Sequence, residues 1–318
     1  MNTLLIMLKN VIIFVLLAVP GYLLVKKNML KQTESGAMSK LLTNIGMPFM
    51  ILSSTMKLEL SGDFTKSMIV MAIVGSLFVV LMFISSAWFF AKDSDDKRRN
   101  MTRFCAVFAN NGFIGLPLAR AVFGEDSTVM AFLIVLNILN NVLMFTLGVY
   151  LISGDKNTIN IKKAVLNPVL IAFLVGIVLN LIGVPAAIPE VQTYATHFSG
   201  IVTPLSMVIL GMKLAGVEMK KLFTSRWMYR MSAWRLVIYP AVSVVLMWLL
   251  SLIPFLSLGS DAIIAFFVAF AMPTAGLAST FSDQYNGDTE NAVIFTLGST
   301  ILSIATIPVL YWVLRLFV

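Results

Sequence analysis

Apolar runs of about 20 residues follow one another along almost the whole chain, separated by short polar connections. The pattern predicts ten membrane-spanning helices, at residues 4–25, 37–56, 66–91, 102–122, 128–152, 164–184, 192–214, 228–253, 261–281 and 290–317. No stretch is left over for a water-soluble domain. Two of the ten are interrupted. The fourth carries Asn110-Asn111-Gly112-Phe113-Ile114-Gly115-Leu116-Pro117, and the ninth carries Met272-Pro273-Thr274-Ala275-Gly276. Proline removes a backbone donor and clashes with the preceding turn, and glycine lowers the cost of unwinding. Lipid offers no partner to the groups set free, so Gly112, Gly115, Pro117 and Pro273 mark helix breaks that need a purpose.

The interruptions belong to a longer repetition. A shift of 156 residues lays Pro117 on Pro273 and Pro48 on Pro204. The same shift lays Met56-Lys57-Leu58 on Met212-Lys213-Leu214. The repeat unit holds five spans, and an odd number turns the second copy over in the membrane. Residues 1–153 are expected to form the first repeat, 154–163 a short cytoplasmic connection, and 164–318 the second, inverted repeat. Inverted repeats with paired discontinuous helices are the architecture of alternating-access transporters, with the substrate where the helices unwind.

Composition agrees with a chain immersed in lipid. Of 318 residues, 59% are hydrophobic and 12% charged, with a mean hydropathy of +0.93, whereas soluble domains carry about 25% charged residues. The net charge of +8 does not point to nucleic acid, because most of the 23 basic residues fall in connections after odd-numbered spans. These clusters run from Lys26 to Lys40, Lys92 to Arg103, Lys156 to Lys163 and Lys213 to Arg235. Basic connections face the cytoplasm, which gives a multi-pass cell-membrane protein with both termini outside. The connection holding Asp283, Asp288 and Glu290 has no basic residue and is the exception. Lys9 interrupts the first apolar run and Ala18-Val19-Pro20-Gly21 lacks a small-x-small cleavage site, so the first span is expected to be retained. Cys105 is the sole cysteine, and His197 the sole histidine. An internal disulfide and a multi-histidine metal centre are excluded, and no cofactor is expected. No phosphate-binding glycine loop or nucleophile–base pattern appears, so an enzyme is not expected.

The candidate chemistry gathers at the breaks. If the two broken spans cross, the N-termini of their second halves face one point, and each carries about half a positive charge. Asn110 and Asn111 can donate amide hydrogens to a carboxylate there, and Thr274 can donate from the other side. The alternative role for these groups is to tie off the freed backbone. Asn137, Asn140 and Asn141 in the fifth span read more readily as interhelical hydrogen bonds than as substrate contacts. Asn167-Pro168 opens the sixth span as a helix start or a further contact. Arg120 either draws anions into a vestibule or snorkels to the interface. Asp63 and Lys66, three apart, form a candidate ion pair. No carboxylate lies in the middle of a span, which disfavours a proton relay.

The Asn110–Pro117 motif, Pro273, and the run Phe281-Ser282-Asp283-Gln284-Tyr285-Asn286 followed by Ala292-Val293-Ile294-Phe295 resemble the auxin efflux carrier family over essentially the whole chain. The resemblance implies an all-α integral membrane fold of ten helices in two inverted five-helix repeats, with helices four and nine broken and crossed as in bile-acid symporters. It also implies an elevator-type transport domain, a scaffold of helices one, two, six and seven, and a homodimer. By resemblance, Asn110 is the asparagine that helps bind a carboxylate, and Asp63 and Lys66 are the acidic–basic pair of the third helix. A family Asn-Pro-Asn in the sixth helix reads Asn167-Pro168-Val169 here, which argues against auxin itself. The long cytoplasmic loop of many plant exporters is absent, as in compact bacterial carriers. The expected function is a carrier for small organic anions, malate- or malonate-like dicarboxylates or auxin-like carboxylates, working by efflux or facilitated flux. The alternatives are a sodium-coupled organic-anion symporter and a non-transporting receptor for a carboxylate.

Overall fold

The computed structural model describes residues 3–58, 61–158, 166–216, 218–256 and 258–315. The expected connection 154–163 lies outside the described residues from position 159 onward. Among the described residues the regular elements are helices, and β pairing is limited to one isolated bridge. Among the described residues, five helices are long and apolar enough to cross a membrane: Gly62–Phe89, Thr128–Ser153, Pro189–Ala215, Arg226–Ser251 and Thr289–Leu314. Helix Thr3–Lys26 is apolar over Ile12–Lys26, and Pro168–Leu181 and Ser260–Ala271 are shorter apolar helices. Exposed Ile69, Ile73, Leu77, Leu81 and Ile84 line one side of Gly62–Phe89, while Met71, Phe78 and Met82 are buried. A helix greasy on its exposed face is what a lipid solvent allows.

The chain divides into two compact units. One comprises Met1–Ser61, Gly112–Ile134 and Val165–Gly216, and the other Gly62–Asn111, Val135–Ala164 and Val217–Val318. The units do not follow the two sequence repeats, since each draws on both halves of the chain. The reason is that packing pairs faces, and faces that fit come from distant segments.

In the first unit, helix Thr3–Lys26 packs along Val202–Ala215. Their backbones meet at glycines: Gly21 abuts the carbonyl of Val208, and Gly211 abuts the carbonyl of Ala18. Without lipid-excluding pressure between helices, small residues permit the close approach that gives dispersion contact. Helix Met47–Thr55 is flanked by Pro168–Leu181 and Pro189–Ser199. Asn180 Nδ2 donates to the carbonyls of Thr55 (3.0 Å) and Leu58 (2.7 Å), satisfying the end of that helix.

In the second unit, Arg226–Ala233 and Ala278–Gln284 pack on Thr289–Leu314, and Ser260–Ala271 packs on Tyr239–Ser251. Phe78 meets Phe266 and Phe270, and Phe281 meets Phe104 and Phe145. Helix starts are capped by side chains. Asp95 accepts from the Arg98 N–H at 3.1 Å, and Asp288 from the Asn291 N–H at 3.0 Å.

π-turns occur at Leu42–Gly46, Asn111–Gly115, Met144–Gly148 and Trp234–Ile238. Pro48, Pro117 and Pro240 each stand two residues beyond one of them. A proline ring collides with the carbonyl four residues back. Widening the preceding turn moves that carbonyl aside, so the chain continues as a helix.

Candidate functional site

The fourth and ninth segments both leave the helix inside the second unit. Helix Asp96–Val107 ends at Phe108, whose backbone is extended (φ −95, ψ 125). Helix Ser260–Ala271 ends at Met272, also extended (φ −67, ψ 149). The two strand-like stretches run antiparallel past each other and pair at Ala109 and Thr274. The Asn110 N–H donates to the Pro273 carbonyl at 2.8 Å, and the Ala275 N–H to the Phe108 carbonyl at 2.9 Å. The bridge thus satisfies backbone groups that the helix breaks release. The extended stretch lies at Phe108–Asn110, upstream of Gly112. Gly112 and Gly115 sit in the π-turn, and Pro117 in the first turn of helix Leu116–Phe123.

Side chains from flanking helices secure the crossing. Asn140 Oδ1 accepts from the Ala109 N–H (3.3 Å), and its Nδ2 donates to the Ala109 carbonyl (3.1 Å). Ser299 Oγ accepts from the Thr274 N–H at 3.2 Å. Thr274 is wholly buried, and its hydroxyl donates to the Cys105 carbonyl at 2.8 Å. That proton serves the backbone in this arrangement, the alternative role weighed for the polar groups of the breaks.

Arg235 is the largest departure from the reading of charge. Counted among the cytoplasmic loop cations, it is 0% exposed and lies in the Trp234–Ile238 π-turn. Its Nε donates to the Met272 carbonyl at 2.8 Å. Nη1 reaches the carbonyls of Ala106 (3.4 Å) and Val107 (3.0 Å), and Nη2 those of Ala269 (3.4 Å) and Phe270 (3.3 Å). A charge inside an apolar span was the available signal, and the orientation rule absorbed it.

Three buried polar atoms around the crossing have no partner: Asn111 Oδ1, Asn137 Nδ2 and Thr296 Oγ1. Asn137 stands one turn from Asn140 on the same helix, and Thr296 one turn from Ser299. Residues three apart share a helix face, so Asn137 lies on the face of Asn140 and Thr296 on that of Ser299. Asn110 is buried beside Asn111. Asn137 is legible in the sequence, read there as an interhelical hydrogen bond more readily than as a substrate contact, but nothing in the sequence singles out Thr296.

The other expected positions lie elsewhere. Asn167 caps helix Pro168–Leu181, its Oδ1 accepting from the Val169 N–H at 2.9 Å. Asp63 and Lys66 lie in the first turn of Gly62–Phe89, where the Lys66 ammonium stands 3.8 Å from the centre of the Phe255 ring. Arg120 pairs with Glu125 at 2.8 Å and donates to Ser199 Oγ at 2.7 Å. Glu125 accepts in turn from Ser53 Oγ at 2.8 Å, so Arg120 belongs to a neutralised cluster in the first unit. An apolar groove beside Pro240, Val244, Phe267, Leu310 and Val313 offers an anion no polar partner.

Residues 5–163 and 156–311 match the family described as "Membrane transport protein". An uncharacterized transporter of Methanothermobacter thermautotrophicus is 28% identical over 304 residues, spanning 94% of this chain and 94% of the relative. An uncharacterized transporter of Methanocaldococcus jannaschii is 24% identical over 314 residues, covering 96% of this chain and 97% of the relative.

Proposed function

The chain belongs to the membrane transport protein family, the auxin efflux carrier family that its motifs resemble, and from that premise we propose that it is a secondary carrier for small organic anions, with malate- or malonate-like dicarboxylates favoured. The observation that carries the proposal is the pinned crossing, with Asn111, Asn137 and Thr296 holding unpartnered polar atoms beside it. Buried polar atoms without partners are rare, and a ligand is one explanation for them. Asn137 Nδ2 and the Thr296 hydroxyl donate to a carboxylate, and Asn111 Oδ1 accepts from a hydroxyl or a protonated carboxyl. Asn110 adjoins Asn111 in the chain.

In this reading the halves are inverted repeats and both termini face outward. Asn140 and Ser299, from opposite halves of the sequence, each hold one strand of the bridge, a correspondence that supports the repeat. The crossing lies within one compact unit, which supports its moving as a body in an elevator-type cycle. Outward movement of an anion needs no coupled ion, since an inside-negative potential supplies about 2.3 kcal/mol per charge per 100 mV. The test is flux of radiolabelled malate, malonate and monocarboxylates in proteoliposomes under an imposed potential. Asn111→Ala and Asn137→Ala are each expected to raise KM about tenfold, the equivalent of about 1.4 kcal/mol. A wild-type protein that moves no carboxylate overturns the carrier reading.

A further inference from the structure

The guanidinium of Arg235 occupies a place that carbonyl oxygens have prepared for a cation. Helices Asp96–Val107 and Ser260–Ala271 both end there, and their last carbonyls, with that of Met272, converge on one side chain. No carboxylate is paired with it among the described residues. Arginine stays protonated in proteins, and an uncompensated buried charge is costly. The compensation comes from the helix ends. Each helix C-terminus carries about half a negative charge, so two of them offset roughly one guanidinium. Convergent main-chain carbonyls at broken helices are also what carriers use to hold a coupling cation.

We propose that Arg235 is a tethered cation filling a monovalent-cation site formed by the carbonyl ends of the two broken helices, so that the protein cycles without sodium. Arg235 does not touch the anion in this scheme. It is a positioning residue that holds the two half-helices together and keeps the crossing assembled. A free ion has to bind and leave, whereas a tethered one is always present, which removes ion coupling from the cycle. The inference rests on the carrier reading for its transport consequence, but the cation site itself does not.

The experiment compares wild type, Arg235→Lys, Arg235→Gln and Arg235→Ala in proteoliposomes and in detergent. Wild-type malonate flux is expected to be equal in sodium, potassium and choline media, and Arg235→Lys, which keeps the charge, is expected to behave likewise. Arg235→Ala is expected to lose flux about tenfold, a cost of about 1.4 kcal/mol. Guanidinium ion at about 10 mM, far below denaturing concentrations, is expected to restore most of it. In detergent the same guanidinium is expected to raise the melting temperature of Arg235→Ala while leaving wild type unchanged, because a ligand stabilises the state that binds it. Arg235→Gln, neutral but still a donor, is expected to resemble Arg235→Ala. Sodium-dependent wild-type flux, or an Arg235→Ala protein that no small cation stabilises, overturns the proposal. If wild type carries no anion but guanidinium still stabilises Arg235→Ala, the carrier reading fails and the cation site stands.

Discussion

Asn140 offers the sharpest measure of how the crossing is held. Its side chain, 4% exposed, both accepts from the Ala109 N–H and donates to the Ala109 carbonyl. Asn140→Ala strands one donor and one acceptor in a site with no bulk water. Each orphaned buried group costs about 1–3 kcal/mol by soluble-protein measurements, so the pair costs about 2–6 kcal/mol. Hydrogen bonds within membranes average about 0.6 kcal/mol, which sets a floor near 1 kcal/mol for two. Asn140→Asp keeps an acceptor for the N–H but turns a second oxygen towards the Ala109 carbonyl, so it should not recover the loss. Equilibrium unfolding in mixed detergent–SDS micelles reads the energy, and hydrogen exchange at the Ala109 amide reads its place. Stability within about 0.5 kcal/mol of wild type, with unchanged Ala109 protection, would refute the claim that this residue pins the bridge.

Two further outcomes are expected. Gly211→Ala places a methyl group against the Ala18 carbonyl and forces helices Thr3–Lys26 and Val202–Ala215 apart, at a cost of about 1–3 kcal/mol in the same unfolding assay. Gly36→Ala, which meets nothing, serves as the control and should be neutral or slightly stabilising. In the connection after Gly62–Phe89, hydrogen bonds from Arg98 at 2.6 and 2.8 Å hold the buried Asp93 carboxyl below its ordinary pKa. A depressed carboxyl stabilises the fold fully above its unfolded pKa of about 3.9 and ceases to as pH falls through the lower folded value. Melting temperature should therefore drop on acidification through that window, and the Asp93→Asn variant should show a flatter profile. Equal acid sensitivity in the two proteins would remove Asp93 from the account.

The sequence by itself settled the class of the molecule. Lipid tolerates only backbone that satisfies itself, so long apolar runs with few charges can be little other than helices in a membrane. Pro117, Pro273 and the amides of Asn110 and Asn111 stood out for the same reason, since breaks and polar groups are costly there. What the sequence left open was how the costs are met. The extended stretch is at Phe108–Asn110 rather than under the glycines, because strand pairing across 165 positions needs both partners at once. Pro117, which looked like a break, is accommodated by the preceding π-turn, whereas Pro273 does lie where the helix stops, and composition does not reveal which outcome each proline takes. Arg235 reads in sequence as one more cation near a loop. Only the tertiary structure brings two helix ends to it, because the carbonyls that neutralise a buried charge are main-chain atoms that any residue could supply, and no sequence pattern marks them.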